Sequence, residues 1–376
     1  MNIGEKLKLR RKKTGFTQEQ IAEKMNITRQ TLSNWEVGKN FPDIESIIKL
    51  SHIYQLSLDE LLLGKIFFKG VTVMAKKLTQ LEIQSMIRKH YPLASHFKEL
   101  NGGLVSQTYS FQSNNEYFIF QVGNRPEVYE KERWVYHCFN QFLPLREVLD
   151  IHVPESGDVY SISRYIEGSK LFDLNSQEIL DVCSDVIKTL DLLEGIEITG
   201  QNGYGRFDHT GHAGYPTWED YIKAVYNKEI YDWTALEKKG LNSDVVDQAI
   251  KELKSHIKNV SLSKKYLVHG DLGSFNLLAK DGKIAGVIDW SLSMYGDHLY
   301  DKANILFWNE DKLQPLIQRI TNKYLNTQES KEKIYCYMLR IGLEEIFNTV
   351  ILDEIGYDIE WVANRLQTII NREFRK

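Results

Sequence analysis

Residues 266–301 read YLVHGDLGSFNLLAKDGKIAGVIDWSLSMYGDHLYD, and an Asp281-Gly282 pair separates FNLLAK from KIAGVID. Asp-Gly between two apolar runs is a strong hairpin signal, because the two-residue type I′ turn needs left-handed backbone at both central positions. Folding about that pair brings Asn276 and Asp289 to the open end of one hairpin, near cross-strand register. Five residues before Asn276 stands Asp271, in a tight loop with Gly270 and Gly273.

These side chains are the oxygen set that phosphoryl transfer requires. Asp271 is placed to accept a proton from a substrate hydroxyl, and Asn276 with Asp289 offers hard oxygen donors to Mg²⁺. Asp and Asn in loops commonly do no more than bond their own backbone. It is the D-x-x-x-x-N spacing, followed by a hairpin ending in Asp, that singles out these three. His269 is expected to hold the loop through a hydrogen bond, and Asp297 and Asp301 to brace the loop or cap a helix.

The stretch resembles the aminoglycoside phosphotransferases, whose motif is HGDxxxxN followed by IDW or IDF. The likeness extends through LPLREVLDI, YSISRYIEG, TWEDYIKAV, VIDWSLSMYGD, ANILFW and YMLRIGLEEIF, over most of residues 78–372. Within that family it is closest to the hygromycin B phosphotransferases. The resemblance implies an α+β protein-kinase-like bilobal fold, with ATP or GTP and Mg²⁺ between a small β-rich lobe and a larger helical one. Asp271 would be the catalytic base, Asn276 and Asp289 the metal ligands, and residues 162–168 the hinge. Gly102, Gly103 and Ser106 would lie at the tip of a strand-turn-strand whose N–H groups cradle phosphates. One departure stands out. Gln121 occupies the strand position of the lysine that clamps the phosphates, and Glu132 matches the acid that would pair with it. Gln121 brings no charge, which leaves Lys131, Arg133 or Arg125 to substitute, or nucleotide binding or catalysis weakened. A polycationic aminoglycoside calls for carboxylates and aromatic walls. Candidates are Trp218 and Asp220 in TWEDY, Trp308 in ILFWNED, and Glu344, which cannot share a helix face with Glu345.

The amino-terminal run is punctuated as short helices. Thr17 with Gln20 makes a capping box and Phe16 with Ile21 a hydrophobic staple. A turn at Asn26-Ile27 follows, and Thr28 caps the next helix, with Leu32 and Trp35 inward. Asp43 or Pro42 opens a fourth helix, and Ser57 with Glu60 a fifth. Two short helices about a tight turn make an all-α helix-turn-helix, and residues 3–63 resemble the lambda-repressor and Cro family. A recognition helix beginning at Thr28 would present Arg29 to guanine and Gln30 or Asn34 to adenine, with Ser33 also outward. Thr17, Gln18 and Lys39 are the candidate phosphate contacts.

Charge agrees with this division. Residues 1–40 carry a net +5 within a chain of −4, so an acidic remainder follows a basic DNA-facing end. Because such domains usually read two-fold sites, a homodimer is compatible with the chain. No apolar run is long enough to span a membrane, and the basic start, interrupted by Glu5, lacks the apolar core of a signal peptide. Three scattered cysteines fit a reducing cytoplasm and small buried positions. The expected organisation is a helix-turn-helix domain at 1–63, a linker at 64–77, a small lobe with hinge at 78–168 and a large lobe at 169–376. Two functions follow: an Mg-ATP-dependent O-phosphotransferase joined to a DNA reader, or a transcriptional regulator whose kinase-like domain senses a ligand or nucleotide with little catalysis.

Overall fold

The computed structural model describes residues 4, 7–8, 11, 16–54, 78–100, 106–154, 159–200, 203–228, 230–234, 236, 243–351 and 358–372. Two compact units are formed, residues 1–70 with 226–233, and residues 71–225 with 234–376.

In the first unit, helix α1 (Gln18–Met25) begins at a reciprocal cap: the Gln20 N–H donates to Thr17 Oγ1 at 3.2 Å, and the Thr17 N–H to Gln20 Oε1 at 2.8 Å. Asn26, left-handed at φ 55°, ends it. Thr28 then caps α2 (Arg29–Glu36) through the Thr31 N–H at 3.1 Å. Asp43 caps α3 (Ile44–Ile53) through the Ser46 N–H at 2.7 Å. The helical period turns Leu7, Ile21, Met25, Leu32, Trp35, Leu50 and Tyr54 into one core, with Phe16 packed against it. The expected fifth helix, the linker at 64–77 and its apolar residues Ile66, Phe67 and Phe68 lie outside the described residues.

The second unit opens with α4 (Gln80–His90), capped reciprocally by Thr79 and Glu82. An antiparallel sheet follows, built from β1 (Ser95–Leu100), β2 (Gln107–Ser113) and β3 (Glu116–Gly123). Helix α5 (Pro126–Phe139) comes next, then β4 (Val148–His152) and β5 (Val159–Arg164). The strand order is β1-β2-β3-β5-β4. Alternation along β2 and β3 buries Phe111, Phe118 and Phe120 against Ile83 and Ile87 of α4. Beyond residues 165–168, β6 (Ser169–Lys170) carries the chain into a largely helical region.

That region contains α6 (Ser176–Gly195), β7 (Tyr204–Phe207), β8 (Ala213–Tyr215), α7 (Trp218–Lys223) and α8 (Asp244–His256). Next come β9 (Tyr266–Val268), β10 (Leu277–Lys280), β11 (Lys283–Val287) and β12 (Met294–Gly296). Helices α9 (Leu299–Trp308), α10 (Gln314–Tyr324), α11 (Gln328–Ile346) and α12 (Ile359–Arg372) complete it. Two small sheets, β11-β10-β6 and β8-β7-β12-β9, hold the loops between them. Helices α9 and α11 are buried nearly all round, which makes them the centre of this lobe. The architecture is the expected one: a helical helix-turn-helix unit followed by a kinase-like α+β fold. Cys183 and Cys336 are buried as expected, whereas Cys138 on α5 is exposed. Among the described residues, no helix is long and apolar enough to cross a membrane.

Candidate active site

The β10–β11 hairpin turns at Asp281 and Gly282, with φ of 50° and 71°. Leu277 faces Val287 in the ladder. One further bond, from the Ile288 N–H to the Asn276 carbonyl at 3.0 Å, closes the open end. Asn276 therefore lies opposite Ile288, and Asp289 stands one residue beyond. Asp289 is exposed and left-handed (φ 61°, ψ 70°), a strained backbone for a residue with a side chain. Its carboxylate accepts the Ser291 hydroxyl at 2.7 Å.

Asn276 closes the other side. Its Nδ2 donates to the Asp271 carbonyl at 2.8 Å and to Asp271 Oδ2 at 3.0 Å, and its Oδ1 has no hydrogen-bond partner among the described residues. Asp271 is pushed up to about 7, by burial first and then by the nearby Asp289 carboxylate, while the Asn276 hydrogen bond and the Arg206 guanidinium pull the other way. Asn276 thus holds Asp271 by hydrogen bond, and the Asp289 carboxylate acts on Asp271 electrostatically.

The loop is rigidly braced. Asp301 Oδ2 and Oδ1 accept the His269 and Gly270 N–H groups, each at 2.9 Å. His269 Nδ1 accepts the Asp271 N–H at 3.3 Å, so Nε2 carries the proton and donates to the Ile288 carbonyl at 2.9 Å. This side chain is a brace, as its position in HGD led us to expect, and burial lowers its pKa. Asp297 caps the Leu299 N–H at 3.0 Å and accepts the Tyr337 hydroxyl at 2.7 Å. Gly270 is required: its φ is 87°, and a Cβ there would meet the Leu292 carbonyl oxygen at 2.3 Å.

On the small-lobe side, Gln121 lies between Thr108 and Ser161 in register, and its Oε1 is buried without a hydrogen-bond partner among the described residues. Glu132 on α5 is buried and pairs instead with Arg146 Nη2 at 3.0 Å. Lys131, one of the expected substitutes, is spent elsewhere. Its ammonium donates to the Ser291 and Ser293 carbonyls at 3.0 and 2.8 Å and sits 4.5 Å from the Phe207 ring centroid. Burial holds its pKa well below the ordinary lysine range. Arg146 was not foreseen, since a cation in LPLREVLDI carries no local sign of its partner. Burial lowers the pKa of half-buried Lys170 on β6, and Asp173 first and then Asp289 oppose that effect. Ser106 is half-buried, and Gly102 and Gly103 lie outside the described residues.

The four substrate candidates do not form one wall. Trp218 is 1% exposed, donates to the Tyr337 hydroxyl at 3.0 Å and stacks on Tyr221, so its indole belongs to the core. Glu344 is buried between Arg206 and Arg340, each at 3.3 Å, because α11 turns that position inward. Asp220 accepts the Thr217 hydroxyl at 2.7 Å in the first turn of α7. Trp308 differs: it is half-buried and stacks on Trp361, with centroids 5.5 Å apart and planes 11° from parallel. Close by in sequence, Glu310 accepts the Ser274 hydroxyl of the Asp271 loop at 2.7 Å.

In the first unit, Thr28, Arg29 and Gln30 are exposed at the start of α2, and Ser33 and Asn34 are half-exposed. Arg29 pairs with Glu19 at 2.8 Å, and Gln30 donates to Asn34 at 3.1 Å. Thr17 serves as a cap and Lys39 is exposed. Gln18 donates to buried Glu36 at 2.8 Å, which Arg11 also grips at 2.6 and 2.9 Å. This pair joins residues 25 apart and has no local signature.

A phosphotransferase enzyme family model matches residues 96–334, and a helix-turn-helix model matches residues 7–61. Hygromycin-B 4-O-kinase of Escherichia coli is 30% identical over 299 residues, covering 78% of this chain and 86% of that relative. The HTH-type transcriptional regulator ImmR of Bacillus subtilis (strain 168) is 45% identical over 62 residues, 16% of this chain and 49% of that relative. A thermostable mutant of aminoglycoside phosphotransferase APH(4)-Ia, solved with ADP and hygromycin B, superposes with a TM-score of 0.70 at 28% identity. The match covers 77% of this chain and 98% of that one.

Proposed function

This chain belongs to the phosphotransferase enzyme family, and from that premise we propose that it transfers the γ-phosphoryl group of ATP to a hydroxyl of an aminoglycoside. The kinase-like domain is joined to a helix-turn-helix domain, which on this reading binds DNA and controls transcription of a resistance function. The observation that carries the proposal is the placement of Asn276 and Asp289 at the open end of one hairpin, with Asp271 hydrogen-bonded to Asn276 and within the electrostatic reach of Asp289.

Asp271 takes the hydroxyl proton as the new O–P bond forms and ADP departs. A base with a pKa of about 7 is both largely deprotonated at mildly alkaline pH and basic enough to accept that proton. Asn276 holds the carboxylate in place through Nδ2, which leaves Oδ1 turned elsewhere. That oxygen and the exposed Asp289 carboxylate are hard donors of the kind Mg²⁺ takes, two from protein with the remainder left for phosphates and water. Bound there, Mg²⁺ would neutralise charge on the phosphates. The stacked Trp308–Trp361 pair and Glu310, tied to the Asp271 loop, supply the aromatic face and carboxylate that an amino sugar needs. The hygromycin B and ADP named for the structural neighbour support this substrate class.

The test is nucleotide turnover by the full chain with a panel of aminoglycosides, with and without Mg²⁺. Wild type should turn over with at least one of them, and Asp271→Ala and Asp289→Ala should not. Gln121 favours a second reading, a ligand sensor with little catalysis. Absence of wild-type turnover, with an aminoglycoside or nucleotide still changing DNA affinity, would select it.

A further inference from the structure

Resting on the nucleotide site proposed above, we infer that Arg146 supplies the positive charge that Gln121 cannot, and that its guanidinium binds the phosphates of the nucleoside triphosphate. Four observations support this assignment. Glu132, the acid that would orient a clamping lysine, is paired with Arg146 at 3.0 Å, with both side chains at least nine-tenths buried. The segment bearing Arg146 is fastened to the end of β11, two residues before Asp289: the Val287 N–H donates to the Pro144 carbonyl at 2.8 Å, and Leu145 bridges Val287 in parallel. Glu132, Arg146, Ile288 and Asp289 accordingly line one small cavity. Finally, Arg146 Nε is buried without a hydrogen-bond partner among the described residues. An orphaned buried donor calls for an acceptor, and in a cavity shared with Asp289 a phosphate oxygen is a suitable one.

The chemistry differs from that of the lysine it replaces. A guanidinium presents five donors in a planar fork, so one edge can stay on Glu132 while another engages two phosphate oxygens. Lys131 cannot serve, because two backbone carbonyls and an aromatic face already hold its ammonium. The cation has moved from the third strand to the α5–β4 connection, and its acidic partner has stayed.

The test is calorimetric binding of AMP-PNP with Mg²⁺ to the full chain, with adenosine as control. Arg146→Met should weaken AMP-PNP binding by about tenfold to a hundredfold and leave adenosine affinity unchanged. Because that substitution strands Glu132, the neutral pair Arg146→Met/Glu132→Gln is measured beside it, with circular dichroism to show that both fold. Adding Gln121→Lys to Arg146→Met should restore much of the lost affinity. Folded variants that bind AMP-PNP as wild type does, or that lose adenosine in equal measure, would overturn the assignment while leaving the nucleotide site standing. Wild type that binds no AMP-PNP would overturn both.

Discussion

Replacing Asp271 by asparagine should stabilise the larger unit at pH 8 while removing its proton acceptor. The carboxyl is lifted from the usual 3.8 to about 7 by burial and by Asp289, so the folded state binds this proton far more tightly than the unfolded chain does. Stability is therefore complete below the unfolded value and is lost as pH rises through the folded one. At pH 8 the ionised wild type carries a cost of about 4 kcal/mol that asparagine avoids, and near pH 4.5 the difference shrinks to about 1 kcal/mol. At roughly 2 °C per kcal/mol for a domain of this size, the variant should melt roughly 8 °C above wild type at pH 8. Differential scanning calorimetry in EDTA at the two pH values reads this directly. A difference that does not grow with pH would refute the claim that burial and the Asp289 carboxylate together raise the Asp271 pKa. The same pKa requires wild-type kcat/KM to rise with pH and level off above about 7.

Arg11→Ala removes the main partner of buried Glu36 and should cost the first unit about 3–5 kcal/mol, read from its thermal transition; a loss below about 1 kcal/mol would class the pair with surface ion pairs. Arg29→Ala should erase preference for a sequence obtained by in vitro selection more than it weakens salt-dependent binding to random DNA, and equal loss on both would remove Arg29 from base readout. Trp308→Ala should raise the aminoglycoside KM with little change in fold, whereas Trp218→Ala should destabilise the lobe by about 3–5 kcal/mol. Equal melting temperatures for the two tryptophan variants would contradict their assignment to substrate face and core.

What could be read from the chain follows the range of the interactions involved. The hairpin about Asp281-Gly282 and the caps at Thr17, Thr28 and Asp43 are local, and local chemistry determines them. Asn276 and Asp289 are legible because register about a two-residue turn follows from counting. Trp218 and Glu344 were misplaced for the opposite reason. Helical periodicity says which residues share a face, not which face another element covers, and here Tyr337 and Arg206 cover them. Arg146 with Glu132, and Arg11 with Glu36, are ion pairs between separate elements, so their meeting depends on tertiary packing that no short motif encodes.

Mass spectrometry of the sugars tests the central claim most directly. A mixture of aminoglycosides that includes hygromycin B is incubated with ATP, Mg²⁺ and the full chain. The account predicts that wild type adds one phosphoryl group to at least one member, and that Asp271→Ala adds none. If every aminoglycoside is recovered unmodified by wild type, or if Asp271→Ala modifies them as well as wild type does, the assigned chemistry is wrong.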